Sequence, residues 1–232
     1  MIFSDLGEIK AVAFDIDGTL YRERDFNISI ATHFLKHIFF FSCFGLVRRN
    51  LRKNGFYEDF VQTQTEMMAK KLCCSNEKAA KILDRIVYSG LEPYFQKLKP
   101  CDGAKELVAR LKENGLKIAL LSDFPPEQKG DVWGIKQYCD VCLGSEEIGA
   151  LKPSEYVFNS LQKTLGVAPE EILYVGNNYK YDVEGPKKCG MKAAWFVSSE
   201  RKTKRNKRLA DIIFCSYRTL EEKLFGNQSD KK

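Results

Sequence analysis

The pattern of apolar and polar positions changes twice along the chain. Val12-Ala13-Phe14 is an apolar run that stops at Asp15-Ile16-Asp17-Gly18-Thr19. A short apolar run closed by turn residues predicts a buried strand. Residues 21–98 read differently. They are rich in helix formers, show little β-branched alternation and hold no proline before Pro93. They predict a helical insert with helices over 28–44, 57–72 and 75–88, the last capped by Ser75. From Leu98 onwards strands and helices alternate. Asp102 suits the cap of a helix over 103–114 that Gly115 closes. Residues 117–121 predict a strand that stops at Ser122-Asp123, and 141–143 a shorter one. Pro153 suits the first turn of a helix that reaches Leu165 and is closed by Gly166. A strand over 172–175 ends in Gly176-Asn177, and a short helix then runs to Cys189. Residues 193–197 and 211–214 are the last predicted strands.

Strands alternating with helices of this length predict a parallel α/β sheet with right-handed crossovers. Ligands of open parallel sheets bind beyond the carboxyl ends of the strands. Several polar residues collect at such ends. Gly18 lets the chain turn after the first strand, so Asp17 can fold back beside Asp15. Two acids at a turn can bind a hard cation such as Mg²⁺. One can also attack while the other moves a proton. Ser122 and Asp123 end a second strand, Asn177, Asn178 and Asp182 follow a third, and Lys152 precedes a helix. A carboxylate nucleophile, a hydroxyl, a lysine and a second polar cluster suit phosphoryl transfer, which needs a positioned nucleophile and positive charge around the phosphoryl oxygens.

Asp15-Ile16-Asp17-Gly18-Thr19 resembles the first motif of the haloacid dehalogenase-like hydrolase superfamily. Leu120-Leu121-Ser122-Asp123 resembles the second, Leu151-Lys152-Pro153 the third, and the stretch from Val175 to Gly185 the fourth. The resemblance implies a Rossmann-like parallel sheet core with helices on both faces and an inserted α-helical cap domain. It divides the chain into a core of residues 1–20 and 99–232 and a cap of residues 21–98. It implies a Mg²⁺-dependent hydrolase that removes phosphate from a small phosphorylated metabolite. Asp15 would form an aspartyl-phosphate, and Asp17 would protonate the leaving group and then activate water. Ser122, Asp123 and Lys152 would bind the phosphate. Asp15, Asp17, Asn177 and Asp182 would lie around the metal. Two positions depart from the family pattern. The fourth motif usually begins Gly-Asp, and Asn177 stands at that acid. Asp123 and Phe124 stand where many relatives carry Asn and a small residue. Other activities on the same fold are a phosphomutase and a 2-haloacid dehalogenase, though relatives of the latter kind typically lack the acid at Asp17. A non-catalytic binding protein with a weakened metal site is the reading from another class.

Composition narrows the picture further. The net charge of +6 is mild for 232 residues and suits an anionic small substrate without implying nucleic acid. The basic run at 201–208 reads as a solvated loop and helix face, with binding of nucleic acid or an acidic partner as the alternative. The eight cysteines include Cys139 and Cys142 in a C-x-x-C spacing, but no second pair completes a zinc site. They read as thiols in a reducing cytoplasm. The N-terminus lacks the basic and apolar regions of a signal peptide. Residues 38–47 are the most apolar stretch, too short to span a bilayer, which takes roughly twenty residues of helix. They read as packing over the site mouth, with a membrane-surface helix as the alternative. His33 and His37, one turn apart, lack a third metal ligand and read as packing residues.

Overall fold

Ala11–Phe14 is apolar and buried at every position, as a central parallel strand covered on both faces must be. It forms β3 of the structure, a computed structural model that describes residues 2–3, 6–199 and 209–226. A two-residue pair, β1 (Ile2–Phe3) and β2 (Gly7–Glu8), precedes it. The other strands are β4 (Lys117–Ser122), β5 (Val141–Gly144), β6 (Ile172–Gly176), β7 (Lys192–Phe196) and β8 (Ile212–Phe214). Together with β3 they make a six-stranded parallel sheet in the order β5-β4-β3-β6-β7-β8. The order reverses at β3, whose neighbours are β4 and β6. That is the topological switch point where such sheets open a crevice for ligand.

Successive strand residues face opposite sides, and helices cover both. Val12, Phe14, Ile118 and Leu120 share a core with α6 (Ala104–Glu113) and α10 (Tyr217–Phe225). Ala11, Ala13, Ala119 and Leu121 pack with α8 (Glu155–Leu165). Three boundaries differ from the sequence expectation. Gly103, at a φ of 79°, is the N-cap of α6, so Asp102 lies outside the cap. The helix α8 starts at Glu155 behind Ser154, leaving Pro153 in the loop. Residues 178–189 are a π-helical turn (Tyr179–Glu184) followed by α9 (Gly185–Lys188) rather than one short helix.

The insert between β3 and β4 is helical, as its composition predicts. Its helices are α1 (Glu23–Lys36), α2 (Ile38–Asn54), α3 (Phe60–Leu72), α4 (Asn76–Leu83) and α5 (Ser89–Phe95). Ser75 caps α4 by accepting from the Lys78 amide, and a π-helical turn, Asp84–Tyr88, joins α4 to α5. The single helix expected over 28–44 is broken at His37, with a bend of 110°. Nothing in the local sequence is a helix breaker. The bend brings Phe41 against Phe34 and His33, at ring separations of 5.2 and 5.9 Å. It buries Phe40, Cys43, Phe44 and Val47 and leaves Ile38, Phe39 and Leu46 exposed. The apolar stretch therefore packs on one face only. His33 donates to the Ile86 carbonyl (2.9 Å) and stacks edge-on against His37, so the pair holds helices together.

The insert enters and leaves through adjacent strands of backbone. Cys101 N donates to the Leu20 carbonyl (2.7 Å), and Tyr21 pairs with Pro100 in an antiparallel bridge. The basic run at 201–208 lies outside the described residues. All eight cysteines are free thiols. Among the described residues, no group of three or more His, Cys, Asp or Glu could hold a metal, and no single helix is long and apolar enough to cross a membrane.

Candidate active site

The end of β3 sets the first acid. Phe14 is in register with Leu120 on β4 and Val175 on β6, and the Asp15 amide donates to the Val175 carbonyl (2.9 Å). Asp15 thus leaves the sheet between its two neighbours. Its side chain is buried. Oδ1 accepts from Lys152 Nζ (2.7 Å) and Oδ2 from Thr19 Oγ1 (2.7 Å). Burial pushes its carboxyl up to about 7 against the pull of Lys152, and the charges of Asp182 and Asp17 add to the rise.

Asp17 returns to the same crevice after two residues. Its Oδ1 accepts from the Tyr21 hydroxyl (2.8 Å) and its Oδ2 from Ser122 Oγ (2.6 Å). Lys129 Nζ lies 3.2 Å from the same Oδ2 and donates to Ser122 Oγ at 3.2 Å. Burial alone would raise the Asp17 carboxyl. The Lys129 charge and the bonds from Ser122 and Tyr21 outweigh it and hold Asp17 below the usual carboxylate range. In the free protein the two acids are therefore held apart, Asp15 raised and Asp17 lowered.

Lys152 Nζ joins Asp15, Asp182 Oδ1 (2.8 Å) and the Tyr174 hydroxyl (3.2 Å) in a buried cluster. Burial pulls the lysine down, but Asp15 and Asp182 outweigh it and keep it firmly charged. Asp182 Oδ2 accepts from the Asn178 amide (2.9 Å). Both of its oxygens are thus engaged, and it acts as a clamp on Lys152. Asn177 sits against the Asp15 turn. Thr19 Oγ1, bonded to Asp15, also reaches Asn177 Oδ1 at 3.4 Å, and a Cβ on Gly18 would come within 2.4 Å of the Asn177 amide nitrogen. A Cβ there would displace the Asn177 amide, and the φ of 81° at Gly18 favours glycine.

Mg²⁺ takes oxygen ligands, usually one or two carboxylates with water and phosphate. Asp15 and Asn177 present a carboxylate and an amide oxygen on either side of one hydroxyl, so the donor set fits a hard cation with a single charged ligand. The crevice places Asp15, Asp17, Ser122, Lys152, Asn177 and Asp182 together. Asp123 is brought only to its edge. Its carboxylate pairs with Arg52 (2.5 Å) and accepts from Ser145 Oγ (2.9 Å) and the Lys152 amide (3.1 Å). Burial pushes its carboxyl up, but Arg52 and Arg48 outweigh it and hold it low. The Asp123 side chain thus ties Arg52 of the insert to Ser145 and the Lys152 amide of the core.

The motifs do not mark four further residues here. Tyr21 and Lys129 both touch Asp17, Tyr174 touches Lys152, and Arg52 reaches from α2 to Asp123 and the Lys152 carbonyl. Tyr21 carries a weak signal, since it lies four residues after Asp17. Lys129 lies in a 3₁₀ loop with none. Above these groups, between core and insert, is a cavity of about 440 Å³.

The family description "haloacid dehalogenase-like hydrolase" matches residues 9–190. The chain belongs to that superfamily. It is 26% identical over 199 residues to the glyceraldehyde 3-phosphate phosphatase of Methanopyrus kandleri, covering 79% of this chain and 82% of that one. The fold is similar to that of a HAD phosphatase from Thermococcus onnurineus, with a TM-score of 0.62, 22% identity and coverage of 94% and 99%. It is equally similar to L-2-haloacid dehalogenase from Xanthobacter autotrophicus, with a TM-score of 0.63, 19% identity and coverage of 91% and 96%. Fold likeness therefore does not choose between the two chemistries. The relatives matched in sequence include proteins named as phosphatases, among them the pyrophosphatase PpaX of Halalkalibacterium halodurans, 26% identical over 197 residues, covering 81% of this chain and 83% of that one.

Proposed function

We propose that this chain is a Mg²⁺-dependent phosphatase of small phosphorylated compounds that works through an aspartyl-phosphate on Asp15. The observation that carries this is Asp17, a second acid held beside Asp15 and Lys152 by its own hydrogen-bonded cluster. A displacement on carbon by one carboxylate has no need of it. Phosphoryl transfer does, because the leaving oxygen needs a proton and the attacking water later gives one up.

In this reading Asp15 attacks phosphorus, an oxygen–phosphorus bond forms on its carboxylate, and the bond to the leaving oxygen breaks. Asp17 delivers its proton to that oxygen. It is ionised in the free protein; the charge of an arriving phosphate raises its proton affinity, and it takes up that proton from the phosphate monoanion or from solvent before delivering it. Asp17 then takes a proton from the water that hydrolyses the acyl phosphate. Lys152 neutralises charge at Asp15 and the phosphate, with Asp182 holding it in place. Ser122 and Lys129 donate to phosphoryl oxygens after turning from Asp17. Asp15, Asn177 and the Asp17 carbonyl would hold Mg²⁺, which when bound offsets phosphate charge. The oxygen donor set supports the need for a metal.

Residues 21–98 serve as the cap domain over a core of residues 1–20 and 99–232. The paired entry and exit at Leu20–Tyr21 and Pro100–Cys101 supports a hinge there. Caps of this kind exclude water and select substrate. Eight free thiols support a reducing, cytoplasmic setting.

The test is turnover of p-nitrophenyl phosphate with and without Mg²⁺, followed by acid quench with labelled substrate. The expected result is Mg²⁺-dependent release and a hydroxylamine-sensitive label on the protein. Turnover without any such label, or none over a broad phosphate panel, would refute the mechanism.

A further inference from the structure

We infer that the site is shaped for a phosphate monoester with an apolar leaving group, an alkyl or arylalkyl body rather than a polyhydroxylated or amino-acid-like one. This rests on the phosphatase reading and goes beyond it by naming the substrate class. The cavity has two unlike ends. Its floor is the polar cluster around Asp15, Asp17 and Lys152. Its far wall is made by the insert and is apolar, carried by Phe26, Ile30, Phe41, Phe44, Leu91 and Phe95. The rings are braced against one another. Phe26 and Phe95 stack at 4.8 Å with an interplanar angle of 10°, and both pack on Tyr21.

Few polar side chains reach that wall. Gln128 donates its amide to the Val87 and Tyr88 carbonyls at 2.6 and 2.8 Å, and its Oε1 is, among the described residues, the one buried acceptor lining the cavity without a partner. Arg52 is spent on Asp123 and the Lys152 carbonyl. Glu23 and Asn27 sit on the exposed first turns of α1. A hydroxyl or ammonium carried on a leaving group would lose water over the six apolar side chains of this wall, which offer it no hydrogen bond, and that is unfavourable. An apolar body gains by the same desolvation. The volume, about 440 Å³, falls within the range of roughly 300–1,000 Å³ for small-molecule pockets. The chemistry is unlike that of the polar triose phosphate for which the Methanopyrus kandleri relative is named.

The reaction follows the proposed mechanism. The bond from phosphorus to the alkyl oxygen breaks, Asp17 protonates that oxygen, and the alcohol leaves along the apolar wall while water releases phosphate from Asp15.

Two measurements keep the substrate class and the phosphatase reading apart. The first is kcat/KM with Mg²⁺ for 2-phenylethyl phosphate against glycerol 3-phosphate, both primary alkyl esters. The second is equilibrium binding by calorimetry of the matching phosphonates, 2-phenylethylphosphonate and 2,3-dihydroxypropylphosphonate. The expected result is a preference of at least about tenfold for the phenylethyl compound in both. The Ile30→Gln variant, or Phe41→Gln if the first does not fold, should narrow that ratio by about threefold or more. Equal binding of the two phosphonates, or tighter binding of the dihydroxy one, would overturn the inference whatever the turnover. No turnover of either ester with the binding preference intact would sink the phosphatase reading and leave an apolar phosphonate-binding cavity as inferred.

Discussion

At the scale of single residues, the two acids are distinguished by their neighbours. Asp15 and Asp17 share a turn, yet Asp15 is raised by burial while Asp17 is held low by Lys129, Ser122 and Tyr21. Replacing Asp15 with Asn should keep the fold and abolish turnover, because an amide is a poor nucleophile; circular dichroism and p-nitrophenyl phosphate assays check both halves. Asp17→Asn should cost about 10²–10⁴-fold in kcat, the usual contribution of general acid–base catalysis. Asn177→Asp restores a second carboxylate beside Asp15, so calorimetric titration should find Mg²⁺ bound more tightly than in wild type; an unchanged affinity would remove Asn177 from the metal's surroundings. Asp123 supplies a pH-dependent test. Its folded pKa lies below the unfolded value of about 3.9, so its stabilising contribution is complete above that value and is lost as pH falls through the folded pKa. Tm of wild type should therefore exceed that of Asp123→Asn at neutral pH, and the two curves should converge in strong acid.

At the scale of elements, α2 is the piece that joins insert to core. Arg52 on its last turns reaches Asp123, and Arg48 one turn earlier is buried against Glu146 of the core. Tyr88, from the π-helical turn, donates to the same Glu146 (2.7 Å), and Gln64 of α3 bonds both Arg48 and Tyr88. The Arg48 guanidinium also stacks over the Phe124 ring at 4.6 Å. One of its nitrogens, Nη2, is buried without a partner. Removing one member of a buried ion pair costs about 3–5 kcal/mol. For a chain of this size each kcal/mol moves Tm by roughly 2–4 °C. Glu146→Leu should therefore lower Tm by about 6–20 °C, and adding Arg48→Met should recover most of the loss, since well-packed apolar replacements of such pairs are often neutral. A double variant no better than the single one would show that the contact does more than satisfy charge.

At the scale of the molecule, insert and sheet share one apolar cluster. Phe40, Val47 and Leu51 of α2 belong to the same contiguous core as Val12, Phe14 and Leu120 of the sheet. The connections at Leu20–Tyr21 and Pro100–Cys101 run side by side, so the insert cannot unfold without opening that core. Far-ultraviolet circular dichroism and tryptophan fluorescence should report one coincident thermal transition, as for a cooperative unit. Trp133 donates to the Leu98 carbonyl near the hinge, and Trp195 to the Asn177 carbonyl beside the site, so the fluorescence samples both parts.

The alternation of strands and helices, the helical character of residues 21–98 and the collection of Asp15, Asp17, Ser122, Lys152, Asn177 and Asp182 at strand ends are all present in the sequence. They are legible because they follow from local rules. A buried parallel strand must be apolar, a turn residue must end it, and the sheet then carries every such end to one edge. The break at His37 is not local: it exists because Phe40, Phe44 and Val47 find the core only if the helix turns. Arg52 and Asp123 are 71 residues apart, and no periodicity links them. Lys129 enters the site from a loop whose sequence carries no motif, and it changes the chemistry of Asp17 more than any group near in sequence. Pairing of distant charges depends on which surfaces pack together. The position of each acid was therefore set by local pattern, while its partners, and with them its charge, were decided by tertiary packing.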